Sequence, residues 1–276
     1  MLQKLKLTGR PFLLPAVCLL LALASQACEE FEYSPYEIRL DDSEKNINQR
    51  NIAKIEAQHL APTDTLRFIL TADVQGFYEE DAAMVRDINQ HHANANFLLL
   101  GGDLTDFGLA KEFKMIHKSF HSLVMPYVAV VGNHDSVNNG QQVFKAMYGD
   151  YNTSFAVGNS KFILLNTNYI EFDEKVPDLD WLEKELAAST GYDNVFVLSH
   201  IPPENYEFGQ ENTQRYYQLL SKYKVAFSLH GHNHSFKYSR PYDDTVPYVE
   251  TTTAEDREYL LFTVIGDQVS FERITY

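Results

Sequence analysis

From residue 66 onward the chain alternates short, uninterrupted apolar runs with amphipathic stretches. Residues 66–72, 96–100 and 127–131 are the first three runs. Each ends at a polar cluster: Asp73-Val74-Gln75, Gly101-Gly102-Asp103 and Gly132-Asn133-His134-Asp135. A run without polar alternation is apolar on both faces, which predicts a strand buried between two layers. Helices are predicted between the runs, over 81–90 and 110–123. Asp73, Asp103 and Asn133 stand 30 residues apart, one strand–helix unit each. That spacing predicts parallel connections, and ligands of such sheets sit at the carboxyl ends of the strands, where all three clusters fall.

The second half has a different texture. Residues 153–157 and 161–165 flank Gly158-Asn159-Ser160, a hairpin signal. An amphipathic helix is predicted over 178–188 and another helix over 213–223. A strand over 194–199 leads to His200, and one over 225–229 leads to Gly231-His232-Asn233-His234. The tail, 247–276, reads as alternating short strands with Gly266-Asp267 as a turn. Two β-rich halves with helices outside predict an α/β fold of two facing mixed sheets flanked by helices, an αββα sandwich. A short helix is predicted over 46–59, with Ala61-Pro62 breaking it.

The amino end changes the expected setting of this domain. Lys4, Lys6 and Arg10 precede an apolar segment of 13 residues, 12–24, shorter than the ~20 a spanning helix needs. It reads as a secretory signal with small residues, Ser25 and Ala27, before Cys28. Cys28 has two readings: the first residue after ordinary cleavage, or a lipidated cysteine that anchors the chain to a membrane. The expected organisation is a signal over 1–27, an acidic tether and short helix over 28–64, and a catalytic domain over 65–276. The expected location is outside the cytoplasm, in the periplasm or on an outer-membrane or cell surface.

Cys18 and Cys28 are the chain's 2 cysteines, and Cys18 departs with the signal, so cysteine-ligated zinc is excluded. The formal charge is −15; without Lys4, Lys6 and Arg10, 20 basic residues face 38 acidic ones. Such a surface repels phosphate backbones, which excludes duplex nucleic acid as a partner. A small phosphoester is still accepted where metal ions supply local positive charge.

The clusters together provide carboxylate, amide and imidazole groups for two metal ions. Their order and types resemble the calcineurin-like metallophosphoesterase superfamily over nearly all of 66–276. The resemblance implies paired sheets with metals at the strand ends. It implies Asp73 and His234 on the first metal, Asp103 bridging, and Asn133, His200 and His232 on the second. It implies that His134 ligates neither ion but serves the leaving group, with Asp135 orienting it. The implied reaction is phosphoester hydrolysis by direct attack of a metal-bound hydroxide.

Gln75 departs from the pattern, which usually has Asp-x-His at the first cluster. As a ligand, its amide oxygen favours Mn²⁺, Mg²⁺ or Ca²⁺ over zinc; alternatively it only hydrogen-bonds a metal water. Two divalent ions from Mn, Fe, Zn, Mg or Ca are expected, with Mn favoured. Asp106 reads either as an acceptor orienting a ligand or as a helix N-cap. His117, His121 and His230 read as packing residues. The loop over 204–211 is expected to overhang the metals. Sparse basic residues near the clusters, Lys237 and Arg240 excepted, tilt the substrate toward a small phosphodiester rather than a monoester. The competing reading is a non-catalytic binding lipoprotein on the same scaffold.

Overall fold

The computed structural model describes residues 34 and 36–276. The chain divides into a unit of residues 1–37 and a compact unit, Ile38–Tyr276. In the first, Glu37 N donates to the carbonyl of Ser34 at 2.8 Å. The signal segment and Cys28 lie outside the described residues. No helix among the described residues is long and apolar enough to cross a membrane.

The compact unit holds two sheets. In the first, β1 (Leu66–Thr71), β2 (Phe97–Leu100) and β3 (Tyr127–Ala129) run parallel. Strand β10 (Glu258–Ile265) pairs antiparallel with β1 and continues into β11 (Gln268–Thr275), giving the order β11-β10-β1-β2-β3. The second sheet has the order β4-β5-β6-β7-β9-β8. Its hairpin β4 (Thr153–Val157) and β5 (Ser160–Leu165) is followed by parallel β6 (Asn194–Ser199), β7 (Phe227–His230) and β9 (Tyr248–Glu250). Strand β8 (Lys237–Ser239) closes the edge antiparallel to β9.

The sheets face each other across an apolar layer. Phe68, Phe97 and Val128 of the first meet Phe155, Phe162, Phe196 and Phe227 of the second. Phe68 stacks on Phe97 and Phe262, at 5.6 and 4.7 Å, and meets Phe162 and Phe196 edge-on at 5.1 Å. Alternate residues of the same strands face outward. Ile69 and Leu98 pack under α2 (Tyr78–His91), α3 (Ala110–Phe120) and α4 (Gly140–Met147); Ile163 and Val197 pack under α5 (Leu179–Ala187) and α6 (Gln210–Lys222). Each central strand is therefore apolar on both faces, and the expected two-sheet sandwich is present.

Two boundaries differ from the sequence expectation. The compact unit does not begin at 65 but takes in α1 (Ile47–Glu56). Ile55 enters the layer between the sheets. Asn48 pairs with the backbone of Ala129 in both directions, at 2.8 and 2.9 Å, and Asn51 Nδ2 donates to the Tyr127 carbonyl at 2.7 Å. The helix thus satisfies the open edge of β3, which would otherwise offer unpaired backbone groups. The tail also departs from short strands: β10 and β11 have 8 residues each and form a long hairpin.

One buried group in this frame is costly. Asp81, in the first turn of α2, is fully buried, and neither carboxylate oxygen has a hydrogen-bond partner. Burial, and secondarily the charge of Glu80, push its pKa up to about 8.

Candidate metal centre

The parallel strands of both sheets release their loops at one pole, and the predicted clusters meet there. The loops after β1 and β2 are stapled by backbone bonds: Asp73 N to Gly102 O at 3.0 Å, and Val74 N and Gln75 N to Asp103 O at 3.0 and 3.2 Å. Gly231 N reaches His200 O at 3.1 Å, joining the loops of the second sheet. The chain turns sharply at the functional residues themselves. Asp73, Asp103, His232 and His234 all have positive φ, between 51 and 77°, a conformation that disfavours ordinary side chains and persists where the surroundings enforce it. Gly132 has a steric reason: a Cβ there would stand 2.1 Å from Asp103 Oδ1.

Two groups of ligand atoms result, Asp73–Asp103–His234 and Asp103–His200–His232, each with its atoms within 4.8 Å of one another. Asp103 is common to both. His234 Nε2 lies 3.3 Å from Asp73 Oδ1, and His200 Nε2 lies 3.2 Å from Asp103 Oδ2. Asn133 Oδ1 completes the second group, 3.0 Å from His200 Nε2 and 3.1 Å from His232 Nδ1. The other ring nitrogens are engaged from behind. His200 Nδ1 meets the Gly101 carbonyl at 2.8 Å, and His232 Nε2 lies 3.5 Å from Glu207 Oε2. Such partners fix which nitrogen is free for an ion.

The electrostatics call for a cation. Burial raises the Asp73 carboxyl, and the neighbouring Asp103 charge adds to this, while His200 and His234 oppose it. Burial works against a charged His200, yet Asp103 and Asp73 push its pKa up to about 10. The two buried carboxylates thus set up a negative field that favours positive charge between them. Gln75 is also buried, and its Oε1 has no hydrogen-bond partner, as suits an oxygen reserved for an ion or its water. The donor set of carboxylates, amides and imidazoles fits divalent ions of intermediate hardness.

His134 stands at the exposed side of the centre. Its backbone N–H donates to Asp103 Oδ1 at 3.0 Å, and its ring Nδ1 meets the Asp106 carbonyl at 3.1 Å. The expectation that Asp135 orients this ring is corrected. The Asp135 carboxylate is buried and accepts from Gly132 N, Leu104 N, Thr105 N and Thr105 Oγ1, at 2.9 to 3.0 Å. It ties the second motif loop to the third. Asp106 is not a cap either: Leu109 is the N-cap of α3, and it is the Asp106 carbonyl that meets the ring.

Other residues fall as follows. His117 Nδ1 bonds the Tyr127 hydroxyl at 2.6 Å, so it packs away from the centre. His230 lies between Ser199 and Ser228, at 3.0 and 2.8 Å, and burial holds its pKa near 3. Lys237 pairs with Glu204 and with Glu250, the latter at 3.3 Å, and Arg240 donates to the carbonyls of Asp244 and Thr245 at 2.9 Å. Asn205 Nδ2 meets Asn233 Oδ1 at 3.2 Å; with the Glu204–Lys237 pair, it docks the 204–211 loop onto the glycine-histidine loop.

Sequence reasoning missed the polar run after β5. Thr167 Oγ1 accepts from Ile201 N at 3.0 Å and donates to Ile201 O at 3.1 Å; Asn168 Nδ2 donates to Val131 O at 2.9 Å. These two residues brace the loops that carry His200 and Asn133. Their signal was a polar Asn166-Thr167-Asn168 closing a buried strand, in line with the other motifs. Glu171 and Glu207 were also missed. Glu171 is raised by its burial and then by the charges of Glu207 and Asp103, and its Oε2 is buried without a hydrogen-bond partner.

The calcineurin-like phosphoesterase family model matches residues 66–236. A 3',5'-cyclic-nucleotide phosphodiesterase of Nostoc sp. is 25% identical over 194 residues, 67% of this chain and 71% of that protein. A human serine/threonine-protein phosphatase is 28% identical over 183 residues, 55% of this chain and 58% of that protein. Among solved structures, the yellow lupin purple acid phosphatase shares the fold. Its TM-score is 0.62 at 14% identity, covering 78% of this chain and 52% of the plant one. With its ordered motifs gathered at one pole of a two-sheet sandwich and the family pattern spanning 66–236, the chain belongs to the calcineurin-like phosphoesterases.

Proposed function

We propose that this protein hydrolyses small phosphodiesters outside the cytoplasm, with Asp73, Gln75, Asp103, Asn133, His200, His232 and His234 holding two divalent ions. The observation that carries the reading is the convergence of two ligand groups on the shared Asp103. When bound, such ions polarise the phosphoryl oxygens and make water acidic enough to attack at neutral pH. The protein's own groups set the rest. Gly101 and Glu207 orient the two imidazoles that face Asn133. Asp135 fixes the spacing between the loops bearing Asp103 and Asn133. With Nδ1 of His134 donating to the Asp106 carbonyl, Nε2 is the nitrogen that faces the departing oxygen, and it gives up a proton there when the ring is protonated on both nitrogens.

The diester preference rests on charge. Glu207 Oε2 lies 3.5 Å from His232 Nε2, and the charges of Glu207 and Asp103 both push the Glu171 carboxyl up. Both carboxylates oppose a dianionic monoester more than a monoanionic diester. The Nostoc relative, named for a diester, agrees with this; the human relative is named for a monoester substrate. An exported setting, anchored through Cys28, is proposed from the amino-terminal sequence alone, and mass spectrometry of the native amino terminus tests it.

The function is tested with protein stripped by chelator and reloaded with Mn²⁺. Turnover should depend on metal and be faster for bis(p-nitrophenyl) phosphate than for p-nitrophenyl phosphate. Equal or faster monoester turnover overturns the diester preference. No turnover of either ester with two ions bound overturns the enzyme reading. His134→Ala should retain both ions while lowering diester turnover about 10²- to 10⁴-fold, the range for a proton donor. Unchanged turnover would remove His134 from the reaction.

A further inference from the structure

The loops around the metal centre carry exposed apolar side chains where charged loops would suffice. Phe107, Val137, Ile170 and Tyr206 are 60, 37, 51 and 68% exposed. Each adjoins a residue of the centre. Phe107 follows Asp106, whose carbonyl meets His134; Val137 ends the short helix His134–Ser136; Ile170 precedes Glu171; Tyr206 precedes Glu207. They come from four segments of chain that converge on one pole.

Hydrogen bonds and a ring contact join these segments into an arc. Asn138 Nδ2 donates to Phe107 O at 2.9 Å, linking the second and third motif loops. Gln141 Nε2 donates to Glu171 O at 2.6 Å, linking α4 to the loop after β5. Tyr169 bonds Glu211 and lays its ring over Gly209. Gly209 has φ +81°, and a Cβ there would stand 2.8 Å from that ring. The loops bearing Ile170 and Tyr206 are thus latched together. Apolar side chains exposed on a polar rim mark a place where an apolar group is received.

We propose that this arc receives an aromatic ring on the second arm of the phosphodiester. The proposal rests on the phosphodiesterase reading above and names its substrate class. Two of the four residues are rings, and flat groups pair with flat groups by stacking. An extended alkyl chain fits less well. Asp106 and Asn138 interrupt the apolar positions, and a chain laid across them would strip water from polar groups without pairing them. A compact aryl or heteroaromatic ring contacts the apolar side chains one or two at a time and leaves Asp106 and Asn138 in water.

The test compares three p-nitrophenyl phosphodiesters whose other arm is methyl, octyl or 2-naphthyl, using the Mn²⁺-loaded protein. Release of p-nitrophenolate is followed in all three, and each ratio is divided by the same esters' ratio for hydroxide in solution, which removes the intrinsic effect of the other arm. The naphthyl ester should exceed the methyl ester in kcat/KM by about ten- to a hundredfold, the range that one ring stack supports; octyl should fall between them. Phe107→Ser and Tyr206→Ser should each collapse the naphthyl-to-methyl ratio. Ile265→Ser, at the opposite pole, should keep it. These side chains are exposed, so the variants should fold, and circular dichroism checks this. The proposal fails if the wild-type ratio is within twofold of one, if octyl exceeds naphthyl, or if neither serine variant lowers the ratio. Cleavage of monoesters alone would overturn this proposal and the diester preference while leaving the metal reading standing. No cleavage of any ester with two ions bound would overturn this proposal, the diester preference and the enzyme reading together.

Discussion

Asp103→Asn should abolish hydrolysis of both test esters, lowering turnover by roughly a thousandfold, or about 4 kcal/mol of transition-state stabilisation. Asp103 is the one residue shared by both ligand groups, and it is 1% exposed. Its two oxygens have different tasks: Oδ1 accepts from His134 N at 3.0 Å, and Oδ2 faces His200 Nε2 at 3.2 Å. An amide turns one oxygen into a donor. Facing His134, it would meet an N–H; facing His200, it would occupy the side meant for an ion. Elemental analysis and turnover should therefore fall together, with less than two ions per chain. Full turnover with two ions bound would show that Asp103 bridges nothing.

Asp81→Asn should stabilise the folded protein by about 2–4 kcal/mol at pH 7, raising Tm by roughly 5–10 °C. Both carboxylate oxygens of Asp81 are buried without partners, and burial raises its pKa from 3.8 to about 8. The carboxyl holds a proton in the fold that it releases on unfolding at neutral pH. Its stabilising contribution is therefore complete below pH 3.8 and is lost progressively as pH rises toward 8. Asn has the same shape and no charge to desolvate. Urea denaturation at pH 5 and pH 8 checks the mechanism, because the variant's advantage should grow with pH. An equal advantage at both values, or a loss, would mean that Asp81 has a partner in solution.

Much of the centre was legible because buried parallel strands and their ends have strong signatures. Phe68 to Leu70 and Leu98 to Leu100 are apolar without interruption because helices cover one face and the second sheet the other. The first polar residue after each run must then stand at the rim, so Asp73, Asp103 and His200 could be placed without knowing any contact. Polar packing was less legible. Asn48 and Asn51 look like solvent-facing helix positions, and only the open edge of β3 explains their burial. Asp135 follows His134, but adjacency in sequence does not decide where a carboxylate points; four donors from Gly132, Leu104 and Thr105 did. Glu171 and Glu207 sit in loops without periodicity, where nothing in the sequence fixes the distance to a ligand.

The anchoring of Asp73 has a bearing on how the protein is made. Its carboxylate accepts from His232 N at 2.9 and 3.1 Å, across 159 residues of chain, and its carbonyl accepts from Thr253 Oγ1 at 2.8 Å, across 180. A ribosome delivers Asp73 and Asp103 early, as carboxylates with none of the later histidines to balance them. The cage around the first ion would close only after His232, His234 and Thr253 have been synthesised. Metal acquisition would in this sense follow the synthesis of these later segments, and the ions that surround the chain at that stage would determine what it carries.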